Sequence, residues 1–406
     1  MSGDGPPSLL RRDGVAELSG NLDRVSSSSI RGTDVAVVGA GLIGLAIARE
    51  LARRGAAVRV FDRAQPGSGA SWAGAGMLAP FTEALEDGDM RALCAQSLAE
   101  YPGFAAAVAG ESGVDPQLRL EGIVSGAYGD DSERGLAGRA AALASEGVEH
   151  HLLDRPAALA LEPALGKGVR SALLVRPEGA VDNRRLGRAL VSACEHAGVA
   201  IVPDARELEV ECDARRVLGV RSHRGFSPAA WVINAAGAWA GQIPGIPAEA
   251  LPPIEPIKGQ MLALAMPRGF LKRPLWVPGA YLVPRDDGRL LVGATVEHAG
   301  FDTRVSADGI RTLLDAALDA APALRDFALT ETWAGLRPGS PDGRPFIGPT
   351  PIEGLLTASG HYRNGILLTP ITARLIADFV EGNEQGALTP WLPLRMKMHA
   401  GRTTVA

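Results

Sequence analysis

Cysteine is scarce in this chain of 406 residues, and the few present lie far apart. Cys94, Cys194 and Cys212 are odd in number and share no C-x-x-C spacing, which argues against a disulfide framework or a cysteine zinc site and suits a reducing cytosol. Basic charge is not in excess either: 41 Lys and Arg stand against 46 Asp and Glu, a net −5, with no block of consecutive cations. Such a surface offers no field for gripping a nucleic-acid backbone. No apolar run is long enough to span a bilayer. The longest, Val35 to Ala48, is interrupted by Gly39, Gly41 and Gly44, whereas a spanning helix needs about 20 residues. Residues 1–31 are rich in Ser, Gly and Arg and include Arg11 and Arg12, but no apolar segment follows. They are expected to be a flexible extension rather than a signal. No metal, nucleic-acid or membrane partner is expected.

Glycine is abundant. Its 50 residues are roughly 12% of the chain, against about 7% in ordinary usage, which points to tight turns and close approaches of backbone to a ligand. A composition of 46% hydrophobic and 21% charged residues is that of a globular protein, and the length predicts two domains. The apolar run Asp34 to Val38, the turn Gly39-Ala40-Gly41-Leu42-Ile43-Gly44, a helical pattern to Arg54, Gly55 as its stop and the run Ala57 to Phe61 make one βαβ unit ending at Asp62. G-x-G-x-x-G in that context predicts dinucleotide binding. Gly39 permits the turn, Gly41 lets backbone approach a pyrophosphate at the helix N-terminus, Gly44 lets helix and strand pack closely, and Asp62 can accept from a ribose. Alanine-rich helical segments at 92–101 and 134–145 are expected to cap a second domain. Alternation in Gln260–Leu264, Ala280–Pro284 and Leu290–Gly293 predicts an antiparallel sheet with one wetted face.

The segment Gly67 to Leu78 is a long run of small residues, able to pass beside a large planar ligand; its plainer reading is a surface linker. Further on stand Tyr281-Leu282-Val283-Pro284-Arg285 with Gly293-Ala294-Thr295, then Trp333 to Gly339, then Gly360 to Leu367. In these motifs and their order the chain resembles the D-amino-acid oxidase superfamily of flavoproteins and, within it, the glycine oxidase family, over residues 33–385. The fold class expected is α/β, a Rossmann-like FAD-binding domain interleaved with an α+β substrate domain built on an antiparallel sheet. Residues 32–81, 182–250 and 336–385 are assigned to the first, 82–181 and 251–335 to the second, and 386–406 to a C-terminal tail.

The resemblance implies oxidative deamination of glycine or a related small amine or D-amino acid, with H₂O₂ as by-product and a place in thiamine thiazole synthesis. FAD would be held without a covalent link, since Ala73 stands where related dehydrogenases carry a histidine. Its contacts are expected at Gly39, Gly41, Leu42, Ile43, Gly44, Asp62, Arg63, Ala70, Ser71, Ala75, Gly76, Met77, Glu207, His361, Tyr362, Arg363, Asn364, Gly365, Ile366 and Leu367. The catalytic candidates are Tyr281, Arg337 and Arg363. Arg337, in what reads as a Pro/Gly-framed turn, can receive a carboxylate in two parallel bonds or serve an ordinary salt bridge. Tyr281 can donate to that carboxylate or fill a sheet face. Arg363 resembles the family's second arginine, or caps a turn. His361 is assigned to cofactor contact. Gly279 and Val296, where the family carries larger residues, are expected in the pocket wall. The other partners implied are O₂ and further copies of the chain, as a tetramer, in the cytoplasm. Two alternatives stay open: a D-amino-acid dehydrogenase passing electrons to a quinone, and a flavin-binding protein without catalysis.

Overall fold

A computed structural model describes residues 34–83, 88–383, 385–393 and 395; the expected extension at 1–31 lies outside them. The predicted βαβ unit is present as strand Asp34–Val38, helix Leu42–Arg53 and strand Ala57–Phe61, with Gly55 in the left-handed conformation beyond the helix. These strands sit in a six-stranded sheet in the order Phe346–Pro349, Leu355–Ser359, Trp231–Asn234, Asp34–Val38, Ala57–Phe61, Ala200–Val202. All neighbours are parallel except the first pair. Val35 to Val38 are buried on both faces, as a central parallel strand requires. The second sheet has eight strands, and its one parallel pair is Leu275–Val277 with Ile123–Ala127. At its edge the long strand Leu329–Gly339 pairs with Glu255–Ala265. The α/β class with an interleaved antiparallel domain is therefore the fold of this chain. No helix among the described residues is long and apolar enough to cross a membrane.

Four expectations are corrected. Helix Gly88–Ser112, assigned from its alanines to the second domain, packs on the helices Asn183–His196 and Thr369–Val380. Its Leu93, Leu98 and Tyr101 join the core around the βαβ unit. Arg337 lies in a strand and not a turn. Pro338 and the flanking glycines suggested a turn, but an edge strand needs no N–H on its open side and so tolerates proline. Residues 336–339 accordingly belong with the antiparallel sheet. The expected tail is packed in its first part: Leu388 and Trp391 are buried in the same core, and Arg395 pairs with Asp342. Finally, the last helix, which the apolar pattern of the sequence predicts from Ile366 to Val380, begins at Thr369, after a separate 3₁₀ turn at Tyr362–Asn364.

Candidate functional site

A cavity of about 730 Å³ runs from the glycine turn to the antiparallel sheet. At its first end Gly39 has φ +110°, and a Cβ there would meet the Ala235 carbonyl at 2.4 Å. Only glycine permits that crossing. Gly44 does not line the cavity; a Cβ on it would strike Gly39 O at 1.9 Å, so it serves the helix–strand contact expected of it. Asp62 accepts from the backbone N–H of Ala40 at 2.6 Å and of Ala64 at 2.8 Å. Burial pushes its carboxyl up, and those two amides oppose the shift. Glu207 also lines this end, with φ +57°, a conformation non-glycine residues seldom adopt outside functional sites. The Arg63 guanidinium lies 3.7 Å from the Trp239 ring centre, and both line the cavity.

The small-residue segment is no linker. Asn183 Nδ2 donates to the carbonyls of Ser71 at 2.7 Å and Trp72 at 3.1 Å, Trp333 Nε1 to Ala73 at 2.9 Å, and Arg285 Nη2 to Ala75 at 2.7 Å. Arg184 stacks on Trp72 at 3.6 Å and reaches Glu331 in two 3.0 Å bonds. Ser71 in turn accepts from Leu42 N–H at 2.9 Å, joining the segment to the helix start. A Cβ on Gly335 would stand 2.4 Å from Ala73 Cβ, so strand and segment are in direct contact. Ala70, Ser71, Ala75, Gly76 and Met77 thus form one rigid wall of the cavity.

The far end is lined by Tyr281, Arg337, Arg363 and Glu83. The Arg337 guanidinium lies across Gly259, where a Cβ would be 2.4 Å from Nη1, and Nη1 donates to Thr295 O at 3.1 Å and Lys258 O at 3.4 Å. The guanidinium also interacts with the Tyr281 hydroxyl. The Tyr281 hydroxyl donates to the weak acceptor Met261 Sδ at 3.4 Å. Burial pushes this phenol up, opposed by the charges of Arg337 and Arg363. Arg363 Nε donates to Glu83 Oε2 at 3.3 Å, and its guanidinium sits 5.5 Å from the Trp276 ring centre. His361 is buried with Nε2 3.0 Å from Thr372 Oγ1, and burial pushes its pKa down to about 3, so it stays neutral. Tyr362, at φ +47°, Gly365 and Ile366 line the same wall, whereas Asn364 and Leu367 do not. Asn364 N–H closes the turn on His361 O, and Leu367 O accepts from Ser97 at 2.6 Å.

Gly279 and Val296, expected in the wall, are not in it. Gly279 is at a hairpin tip with φ +80° and faces Ala316, and Val296 is half exposed. The sequence reading missed Glu83, hidden before a helical stretch, and gave no role to Arg285 or Asn183. It also missed Glu178, buried beneath the cavity and accepting from Phe81 N–H at 2.6 Å, Thr82 N–H at 2.8 Å and the Thr82 hydroxyl. Burial pushes Glu178 up from 4.5 to about 7, the Thr82 and Phe81 donors opposing. The folded state then holds a proton that the unfolded chain releases. The resulting stabilisation is full below about 4.5 and is lost as pH rises through about 7. Relative to Glu178→Gln, wild type should lose about 3 kcal/mol across that window. Denaturation midpoints of both proteins at pH 5 and pH 8 measure it, and parallel pH profiles would exclude Glu178 as the group responsible.

The cavity suits a flavin dinucleotide by its own features. Its size is within the range for bound cofactors. Gly69 and Gly237 line it with nothing within 4 Å of where a Cβ would begin, so neither narrows it. Asp62 marks one end, and Arg337 and Arg363, the latter paired with Glu83, the other. Comparison with known proteins agrees. Residues 34–379 match the family model described as FAD dependent oxidoreductase (DAO). Glycine oxidase of Pseudomonas aeruginosa is 36% identical over 86% of this chain and 95% of its own. The bifunctional protein ThiO/ThiG of Synechocystis is 38% identical over 86% of this chain and 51% of its own. The crystal structure of glycine oxidase from Geobacillus kaustophilus superposes with a TM-score of 0.85 at 33% identity, covering 90% of this chain and 99% of that one. With its dinucleotide turn, its lashed small-residue wall and a family match across nearly all described residues, the chain belongs to the FAD dependent oxidoreductase family and uses FAD.

Proposed function

We propose that this protein oxidises glycine or a related small amine or D-amino acid, such as sarcosine, D-alanine or D-proline, to an imine that water hydrolyses. The observation that carries the reading is the Arg337 guanidinium, held by two backbone carbonyls through Nη1 and lining the cavity beside the Tyr281 hydroxyl, with which it interacts. Bound there, FAD would supply a two-electron acceptor for the hydride lost from the substrate Cα, with O₂ as the final oxidant and H₂O₂ as its product. Arg337 and Tyr281 bind and orient the substrate carboxylate. Burial keeps His361 neutral, so no cation competes there. Gly39, Gly41, Leu42, Ile43, Asp62, Arg63, Glu207 and the His361–Ile366 segment are assigned to holding FAD non-covalently. Similarity to the fused ThiO/ThiG protein supports supply of the imine to thiamine thiazole synthesis.

An anaerobic absorbance titration with glycine, sarcosine, D-alanine and D-proline tests this. Bleaching by at least one, and recolouring in air with one equivalent of H₂O₂, is the expected result. Bleaching by none would overturn it, and reoxidation that is slow in air but fast with a quinone would replace oxidase by dehydrogenase.

A further inference from the structure

The acceptor end of the cavity holds three charges, and their pairing sets how many anionic groups a ligand can bring. Arg363 is already engaged: its Nε reaches Glu83 Oε2 at 3.3 Å. Glu83 is fixed from behind. Its own N–H donates to Ala79 O at 3.1 Å, and the two residues before it are bound by the buried Glu178 carboxylate. The backbone that carries the carboxylate is thereby held at the cavity, and Arg363 holds the carboxylate itself. Arg337, by contrast, forms no ion pair among the described residues: it donates to the backbone carbonyls of Thr295 and Lys258 and interacts with the Tyr281 hydroxyl, and its charge acts on Glu83 only from further off than that of Arg363. Lys258, whose ammonium could add a further cation nearby, is instead paired with Glu297 at 3.1 Å.

We propose that Glu83 sets the charge count of the substrate: by neutralising Arg363 it leaves Arg337 as the one guanidinium open to a ligand carboxylate, so the site takes monocarboxylic amines and rejects dicarboxylic ones. This deepens the proposed function and rests on its placing of the substrate carboxylate at Arg337. A second carboxylate would face Glu83 at close range in a poorly hydrated cavity, where like charges repel strongly. Glu83→Gln keeps an oxygen for Arg363 Nε but removes the charge, and so frees a cation for that second carboxylate. Glu83→Asp keeps the charge and should keep the preference.

The test uses the FAD-loaded protein and two ethers that have no amine to oxidise. Methoxyacetate has the shape of sarcosine with one carboxylate, and oxydiacetate the shape of iminodiacetate with two. Kd is read from the change in the flavin's visible absorbance. Wild type and Glu83→Asp should bind methoxyacetate at least tenfold more tightly than oxydiacetate, and Glu83→Gln should move that ratio at least tenfold towards oxydiacetate. A wild-type preference for oxydiacetate, no binding of methoxyacetate, or a Glu83→Gln ratio within twofold of wild type would overturn the proposal. Turnover of glycine and sarcosine, measured in parallel, separates the two readings. If the ratio shifts while no amine is oxidised, the charge rule stands and the proposed reaction fails. If amines are oxidised while the ratio stays put, the reverse holds.

Discussion

Replacing Arg337 with alanine should lower kcat/KM for the preferred amine by about 30-fold to several thousand-fold, the range expected when one partner of a buried charged pair is lost. The loss has two sources. The substrate carboxylate enters without its guanidinium, and the carbonyls of Thr295 and Lys258 lose the donor they share. Because both act before any bond to Cα changes, most of the effect should appear in KM or in ligand Kd. Gly259→Ala should produce a smaller loss in the same direction, since the new Cβ would stand 2.4 Å from Arg337 Nη1 and displace the fork without removing it. Steady-state kinetics with glycine, sarcosine and D-alanine measure both variants. An unchanged kcat/KM for Arg337→Ala would withdraw the carboxylate assignment.

Replacing Arg285 with methionine should cost about 3–5 kcal/mol of stability and release FAD from the folded protein. This guanidinium is fully buried, and burial pushes its pKa down to about 10, which still leaves it charged at neutral pH. It donates to Ala75 O and to Asn183 Oδ1, and stands 3.9 Å from Asp182. Methionine fills the volume but leaves that carbonyl and that amide oxygen without this donor, and takes one of two neighbouring cations from Asp182, which keeps its bond from Arg185 N–H. The segment beside the cavity would then lose one of its ties. Thermal midpoints with and without added FAD, together with flavin content after gel filtration, measure the outcome. Wild-type midpoint and full flavin content would mean that Arg285 does not hold the wall.

The glycine turn, the terminal Asp62 and the order of the later motifs were legible in the sequence because each depends on local chemistry: a left-handed glycine, a helix start, a strand end. Arg337, Tyr281 and Arg363 were legible as residues, and the structure brings all three to one end of one cavity. Their support was not legible. Glu83 and Glu178 are separated by 95 positions in sequence and meet only through a turn whose backbone one of them binds. Arg337 read as a turn because Pro338 and two glycines are turn residues by propensity, and only the edge position of its strand, a property of the sheet, makes them acceptable. Gly279 and Val296 were placed in the wall by resemblance, yet the hairpin carries Gly279 away to Ala316. Helix Gly88–Ser112 went to the wrong domain because composition reports that a helix forms and not what it packs on.

The wall formed by residues 70–77 also bears on how the molecule is made. Its carbonyls wait for Asn183, for Arg285 and for Trp333, partners 112, 210 and 260 positions further along. During synthesis, at about 5–20 residues per second, the dinucleotide turn emerges early, but the surface meant to lie beside the flavin has only its bond from Leu42 N–H to Ser71 and the start of its segment on Ala40 O until those partners follow, seconds to tens of seconds later. Capture of FAD is therefore a late event, possible only once the chain has been made beyond Trp333. A nascent chain stalled short of that point should emerge with its strand–turn–helix unit intact and no lasting hold on the cofactor.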